Sequence, residues 1–227
     1  MKTELWHGAH NKFIVICYEK NIQKLEKCKI QELNKEYKTD GLIQITLRKN
    51  ITMRFFNPDG SLDNCGNGLR VTASFCFKNN LCKDEGIIES LGLKFPFVIE
   101  NKVPKIFFSN FKKEKGLWSI GNVIHKTIIV EDFEKSKKIA KSIREKLDCN
   151  VTIIKRMDKG IFAQTFERGV ENFTAACGTG AIAAALSTNQ SKIFMPGGLL
   201  KIDKHKDFIT LSGPTKMMGN IENEIST

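Results

Sequence analysis

The chain has 227 residues, of which 41% are hydrophobic, and its formal net charge is +11. This length allows one large domain or two small ones, and this composition can fill a core. No apolar run approaches the length of a membrane span, and the first residues lack the apolar stretch of a signal peptide, so we expect a cytoplasmic protein without a membrane partner.

Strand patterns dominate the first half of the chain. The predicted strands cover residues 13–17, 42–47, 51–56, 87–100 and 105–108. A surface helix is predicted over residues 22–37, a turn over 57–61, and a helix over 69–77 that follows Cys65.

The second half repeats this order after a predicted linker at residues 110–116. The predicted elements are strands at 117–120, 127–130, 151–155 and 160–166, helices at 132–147 and 181–186, a turn at 194–198, and a hairpin of 199–202 with 208–211. The repetition predicts an α+β protein of two related domains. We assign residues 1–112, completed by residues 216–227, to the N-terminal domain and residues 113–215 to the C-terminal domain.

The seven cysteines do not form a disulfide or metal-binding pattern. Their number is odd and no Cys-x-x-Cys pair occurs, which argues against a disulfide framework and a zinc ribbon. We therefore expect a reducing compartment and no metal.

The lysines are spread along the chain, and their densest clusters lie at residues 112–115 and 135–141. No nucleic-acid-binding signature accompanies them. A solvated basic surface is the preferred interpretation, and a basic nucleic-acid-binding protein is kept as an alternative of another class.

Two similar turns carry the functional signal. Cys65-Gly66-Asn67-Gly68 and Cys177-Gly178-Thr179-Gly180 each lead into an apolar helix pattern, one in each half. A helix N-terminus offers unpaired N–H groups to a carboxylate, and it typically lowers a thiol pKa to about 3.5–7.5. Two opposed thiols that share one cleft are expected to titrate as a coupled pair, which supplies an acid and a base.

These turns and several other segments resemble the diaminopimelate epimerase family over nearly the whole chain. The matching motifs are HGAHNKF at 7–13, TDGLI at 39–43, FNPDGS at 56–61, NCGNGLR at 64–70, GN at 121–122, ERGV at 167–170, ACGTGA at 176–181, PGG-x-L at 196–200 and SGP at 212–214. The resemblance implies two pseudo-symmetric domains, each a curved mixed or antiparallel sheet around a central helix, with the active-site cleft between them. It also implies an amino-acid substrate, catalysis without cofactor or metal, and a homodimer.

The resemblance also implies the role of each matching residue. Cys65 and Cys177 would be the catalytic pair, acting on opposite faces of the α-carbon. The other implied contacts are all with substrate: the reacting carboxylate would be held by the backbone N–H groups of Gly66, Asn67, Gly178 and Thr179, the reacting ammonium by Asn11 and Glu167, and the far end by Asn57, Asn122, Asn150 and Arg168.

Some segments depart from the family pattern near the expected substrate. Gly121-Asn122 is followed by Val123-Ile124-His125 where the family has Pro-His, and the segment between Asn57 and Cys65 is one residue short. The segment between Glu167 and Cys177 is one residue long. The preferred hypothesis is an epimerase of LL- and meso-diaminopimelate. The alternatives are a racemase of another amino acid such as histidine, and a protein that binds an amino acid without turning it over. His125 is expected to be structural.

Overall fold

The computed structural model describes residues 1–18 and 25–221, and these form a strand-rich α+β fold. The helices are α1 (Lys27–Tyr37), α2 (Gly66–Lys78), α3 (Phe133–Leu147) and α4 (Gly178–Thr188). The strands are β1 (Lys2–Gly8), β2 (Asn11–Tyr18), β3 (Leu42–Leu47), β4 (Ile51–Phe56), β5 (Leu62–Asp63), β6 (Glu85–Ser90), β7 (Leu93–Glu100), β8 (Val103–Phe108), β9 (Phe111–Glu114), β10 (Leu117–Ile120), β11 (Val123–Ile129), β12 (Asn150–Met157), β13 (Gly160–Glu167), β14 (Asn172–Phe173), β15 (Lys192–Met195), β16 (Gly198–Lys204), β17 (Ile209–Ser212) and β18 (Thr215–Asn220).

Two structural repeats account for most of these elements. The first repeat contains β1–β8 with α1 and α2, and the second contains β10–β17 with α3 and α4. In the first, β2 runs parallel to β3 across α1, and β4 runs parallel to β6 across α2. In the second, β11 and β12 have the same relation across α3, and β13 and β15 across α4. The predicted pseudo-symmetric α+β fold is confirmed.

Each repeat curls its strands around its second helix. Helix α2 contacts strands of the first repeat, and α4 contacts β10–β13 and β15–β17 of the second. Both helices are buried on every side over their first two turns, from Gly66 in α2 and from Gly178 in α4. A helix that is buried on all faces lies inside a core, so these two helices are the centres of the two repeats.

Strand pairing joins the repeats into one hydrogen-bonded sheet network. Strands β8 and β17 pair antiparallel, with Phe108 opposite Ile209. Strand β9 pairs with β10, and β18 returns from the end of the chain to pair with β1. The division into residues 1–112 and 113–215 stays a prediction, and residues 222–227 of its closing segment lie outside the described part of the chain.

The predicted linker at residues 110–116 is wrong. Phe111–Glu114 forms β9, and it makes a hairpin with β10 through Lys115 and Gly116, which both have positive φ. The charged lysines of β9 are exposed on an edge, so the segment is polar like a linker although its backbone is paired.

The predicted strand at residues 87–100 is two strands, β6 and β7. Leu91 and Gly92 have φ of 47° and 77° and turn the chain between them. The sequence does not predict strands β1 and β18, because their residues form no clear apolar or alternating run. These strands form by pairing with each other. Helix α1 begins at Lys27, while residues 22–24 of the predicted helix lie outside the described residues.

The other predicted segments are confirmed with shifted ends. Strands β3 and β4 have the predicted bounds, and α3 begins after Asp132, whose carboxylate accepts a 3.1 Å hydrogen bond from the Lys135 N–H as its cap. The predicted turn at 194–198 is narrower, because Phe194 and Met195 belong to β15. No helix within residues 1–18 and 25–221 is both long and apolar enough to cross a membrane.

Candidate active site

The two cysteine turns have the same local geometry. Cys65 has φ −134° and ψ 111°, and Cys177 has φ −134° and ψ 112°. Each residue is the N-cap of its helix, and its Sγ accepts a hydrogen bond from the N–H three residues later: 3.3 Å from Gly68 and 3.4 Å from Gly180. The two matching sequence motifs therefore form the same structure, with each thiol at the N-terminus of its helix.

The N-termini of α2 and α4 touch each other through two glycines. A Cβ added to Gly178 would lie 2.9 Å from the Gly66 carbonyl carbon and 2.9 Å from Cδ2 of Leu211. A Cβ added to Gly66 would lie 3.1 Å from Cα of Gly178. Because only a residue without a side chain allows this approach, the glycine after each cysteine brings the two helix starts together.

A cavity of about 20 Å³ lies where the helices meet, and we call it the thiol cleft. The cleft is closed, with room for about one water molecule. Its walls include both cysteines and nearly all predicted substrate residues: Asn11, Asn57, Cys65, Gly66, Asn67, Asn150, Glu167, Arg168, Cys177, Gly178 and Thr179. Phe55, Asp63, Asn64 and Val123 also line it. The fold therefore brings together residues that are up to 168 positions apart, from Asn11 to Thr179.

Asn122 is the predicted substrate residue that does not line the thiol cleft. It is exposed, has φ 70°, and accepts a 3.2 Å hydrogen bond from the Asn110 side chain. It lines an adjoining cavity together with Asp63, Asn150 and Arg168. The structure thus places it next to the thiol cleft but outside its wall.

Two asparagines of the first repeat hold the backbone that precedes Cys177. Asn11 donates to the Ala176 carbonyl (2.7 Å) and accepts from the Ala176 N–H (3.1 Å). The Asn67 side chain donates to the same carbonyl at 2.8 Å. These bonds cross between the repeats, so Asn11 and Asn67 fix the position of the second thiol turn relative to the first. The role of Asn11 at the substrate ammonium stays a prediction.

Burial dominates the acid–base properties of the thiols. It raises the pKa of Cys65 to about 12 and the pKa of Cys177 well above its usual range, and the nearby Glu167 carboxylate raises both further. Hydrogen bonds from the helix N–H groups lower these pKa values by less than burial raises them. The expectation of a lowered thiol pKa is therefore wrong, since the sequence pattern shows the helix N-terminus but not the desolvation.

Glu167 lies at the end of β13 beside the second thiol. It accepts hydrogen bonds from the Thr174 hydroxyl and the Cys177 thiol. Burial raises the pKa of Glu167 to about 7, so its carboxyl gains or loses a proton near neutral pH. Thr174 was missed by the sequence analysis, although it lies in the segment between Glu167 and Cys177 that is one residue longer than the family pattern.

Arg168 is held between two carboxylates at the far end of the thiol cleft. Its guanidinium lies 3.4 Å from Asp63 and 3.4 Å from Asp148, and its side chain is 47% exposed. Its backbone N–H donates to the Asn150 side chain at 2.7 Å. Asp63 was also missed, and it precedes Asn64-Cys65 in the shortened segment where the family pattern already differs.

Asn57 belongs to a turn and also faces the second repeat. Its side-chain amide donates to the Ser61 hydroxyl at 3.0 Å, and a Cβ added to Gly169 would lie 2.8 Å from its Nδ2. The turn therefore presents an amide to the segment that carries Arg168.

His125 is buried behind the second thiol turn. Its Nε2 is hydrogen-bonded to the Thr179 hydroxyl (2.9 Å) and its Nδ1 to the Thr152 hydroxyl (3.3 Å). Burial lowers the pKa of His125 to about 3, so the ring is neutral at physiological pH. The predicted structural role is supported, because the ring orients Thr179 and lies outside the thiol cleft.

Comparisons with known proteins identify the relatives of this arrangement. A diaminopimelate epimerase from Campylobacter lari is 33% identical over 79% of this chain and 78% of the relative. One from Hydrogenobaculum is 27% identical over 92% of this chain and 94% of the relative. The chain belongs to the diaminopimelate epimerase family. It is therefore an isomerase, an amino-acid epimerase.

The fold extends further than the sequence similarity. The PhzF-family phenazine biosynthesis protein from Enterococcus faecalis superposes with a TM-score of 0.70 over 98% of this chain and 100% of that chain, at 15% identity. At that identity the comparison shows a shared fold only. No protein-family model matches the chain.

Replacing Gly178 by Ala is expected to destabilise the epimerase. The added methyl group would overlap Gly66 and Leu211, which costs about 1–3 kcal/mol of unfolding free energy. Urea titration measures this change. Gly219→Ala is the matched control, because a Cβ there meets nothing within 4 Å. Equal stability of the two variants would contradict the contact described above.

Replacing Glu167 by Gln is expected to remove a pH-dependent loss of stability. Because the pKa of Glu167 is raised from 4.5 to about 7 on folding, the unfolded chain loses this proton first as pH rises, and stability falls between these values. The unfolding free energy of the variant relative to wild type should therefore increase from pH 4.5 to pH 8, by roughly 3 kcal/mol at most. Urea titrations at both pH values test this, and a pH-independent difference would refute it.

Proposed function

We propose that this epimerase interconverts LL- and meso-diaminopimelate with Cys65 and Cys177 as its acid and base. The observation that carries this proposal is the pair of equivalent thiol turns, one from each repeat, that line one cleft. One thiolate removes the α-proton, and the other thiol donates its proton to the opposite face of the same carbon. After turnover the proton has moved from one sulfur to the other, and the reverse reaction restores it.

The two helix N-termini are suited to the negative charge that forms in this reaction. Gly66 and Asn67 open α2, and Gly178 and Thr179 open α4, so their N–H groups have no acceptor within the helix. In the proposal these groups hold the substrate α-carboxylate, onto which charge spreads when the α-proton leaves. Donors fixed before the reaction stabilise that charge without reorganising.

The raised thiol pKa values fit this task once the substrate is present. A thiolate with a high pKa is a strong base, and the α-proton of an amino acid is a weak acid. The substrate ammonium, placed between Asn11 and Glu167, brings a positive charge into the cleft and lowers both thiol pKa values. Binding of the correct substrate would thus help to create the base that acts on it.

The charges at the far end of the thiol cleft favour diaminopimelate over a substrate with one amino-acid head. The second head of diaminopimelate carries a carboxylate and an ammonium group. Arg168 can bind the carboxylate with two N–H groups, and Asp63, which is 21% exposed beside it, can accept from the ammonium. Asn57 and Asn150 supply neutral amides next to this pair. The imidazole side chain of histidine offers no carboxylate for Arg168 to bind.

Removing either catalytic sulfur is expected to abolish epimerisation. Cys65→Ala and Cys177→Ala should each lower turnover by at least about 100-fold, since each removes one proton carrier. The measurement is conversion of LL- to meso-diaminopimelate, followed together with deuterium incorporation at the α-carbon in D₂O, and circular dichroism verifies folding. Cys28→Ala, at an exposed cysteine away from the cleft, is the control and should keep full activity. Near-normal turnover of either cleft variant would refute the acid–base pair.

Changing the far-end charges is expected to weaken binding of diaminopimelate. Arg168→Met and Asp63→Asn should each raise KM by about 10-fold or more, because each loses a hydrogen bond to a charged group. Arg156→Met, at an exposed arginine of β12, is the matched control. The same exchange assay with L-histidine tests the alternative: exchange of histidine without exchange of diaminopimelate would assign the protein to another racemase.

A homodimer, a cytoplasmic location and the absence of nucleic-acid binding belong to this proposal as expectations. Gel-shift assays at low and moderate salt test the last of these, because non-specific binding to nucleic acid weakens steeply with salt.

A further inference from the structure

Arg70 is a fully buried cation in the core of the first repeat. Its exposure is 0%, and it is the largest side chain that is completely buried. Its one hydrogen bond runs from Nη1 to the Gly66 carbonyl at 3.4 Å, while Nε and Nη2 have no partner among the described residues. It also forms no ion pair with any carboxylate of residues 1–18 and 25–221. A buried charge without a counter-charge costs several kcal/mol, so its presence calls for a reason.

Two glycines lie beside the Arg70 guanidinium. A Cβ added to Gly8 would lie 3.6 Å from Nη2, and one added to Gly213 would lie 3.5 Å from Nε. Burial lowers the pKa of Arg70 only to about 10, so the side chain is charged at neutral pH. The site therefore holds a permanent positive charge in contact with glycine backbone.

The position of Arg70 relates it to the first thiol. It lies five residues after Cys65 on the same helix, and its side chain returns towards the helix start to reach Gly66. The equivalent position of α4, five residues after Cys177, is Ile182. The two repeats thus have the same backbone at the thiols. Further along the helix, the first repeat has a cation where the second has an apolar side chain.

The charged groups around the two thiols differ accordingly. Glu167 raises the pKa of both thiols, while Arg70 lowers the pKa of Cys65. The negative charges that raise the pKa of Arg70 are the Cys65 and Cys177 thiolates. Cys177 also donates a hydrogen bond to Glu167, which holds its proton in place. Glu167 is hydrogen-bonded to Cys177, whereas Arg70 lies on the helix that Cys65 caps and interacts with Cys65 more strongly than with Cys177. The carboxylate therefore favours the protonated form of Cys177, and the cation favours the ionised form of Cys65.

We propose that Arg70 is a positioning residue that makes Cys65, rather than Cys177, the thiol that loses its proton first. The buried guanidinium is then the counter-charge of the Cys65 thiolate, and the thiolate is the partner that Arg70 otherwise lacks. This inference rests on the proposed two-cysteine function and adds an order to it: Cys65 on α2 ionises first, and Cys177 on α4 keeps its proton.

Alkylation by iodoacetamide tests the order without requiring turnover. The thiolate is the reactive form, so the pH dependence of the rate at each cysteine, resolved by peptide mass spectrometry, reports its apparent pKa. In the wild-type enzyme Cys65 should titrate at lower pH than Cys177. Arg70→Met should raise the apparent pKa of Cys65 by about 1 unit or more and that of Cys177 by less, whereas Arg70→Lys should keep the wild-type order.

Two results would overturn the proposal. The first is a wild-type enzyme in which Cys177 titrates at or below the pH of Cys65, which decides the question even if the Met variant does not fold. The second is a folded Arg70→Met variant, judged by circular dichroism, with an unchanged Cys65 profile. An enzyme that keeps the predicted order but does not exchange the α-proton of diaminopimelate would instead refute the proposed function and leave the effect of Arg70 standing.

Discussion

The contact between Gly66 and Gly178 is the constraint on which the candidate site depends. Each glycine follows a cysteine that caps a helix, and the absence of both side chains allows the two helix starts to meet. Two sets of unpaired N–H groups and two sulfurs then share one small cleft. A methyl group at either glycine would separate the two repeats at this contact.

The interactions around the thiol cleft mostly cross from one repeat to the other. Asn11 and Asn67 bind the Ala176 backbone, and Asn64 donates to the Gly121 carbonyl at 2.8 Å. Arg168 reaches Asp63 in the same way. Each repeat therefore completes the surroundings of the other repeat's thiol turn, and neither forms the cleft alone.

The electrostatics of the cleft result from a competition between burial and fixed dipoles. Helix N–H groups favour thiolates, but burial outweighs them, and the thiol pKa values are raised. Glu167 adds a carboxyl that titrates near neutral pH, and Arg70 adds one cation on the side of the first thiol. The two thiol turns have nearly identical backbones, but Glu167 and Arg70 give their thiols different chemical environments.

The sequence by itself determined the repeated order of elements and the identity of the two thiol turns, because these depend on local signals: apolar periodicity, and glycines that follow a helix-capping cysteine. Through the family resemblance it also predicted twelve site residues, of which eleven line the cleft. The tertiary structure alone decided that β9 is paired, that Asn11 holds Ala176, that Asp63 faces Arg168, and that Arg70 has no carboxylate partner among the described residues. These features depend on which distant segments meet and on how much water the meeting excludes, and neither can be read from residues that are neighbours in the chain.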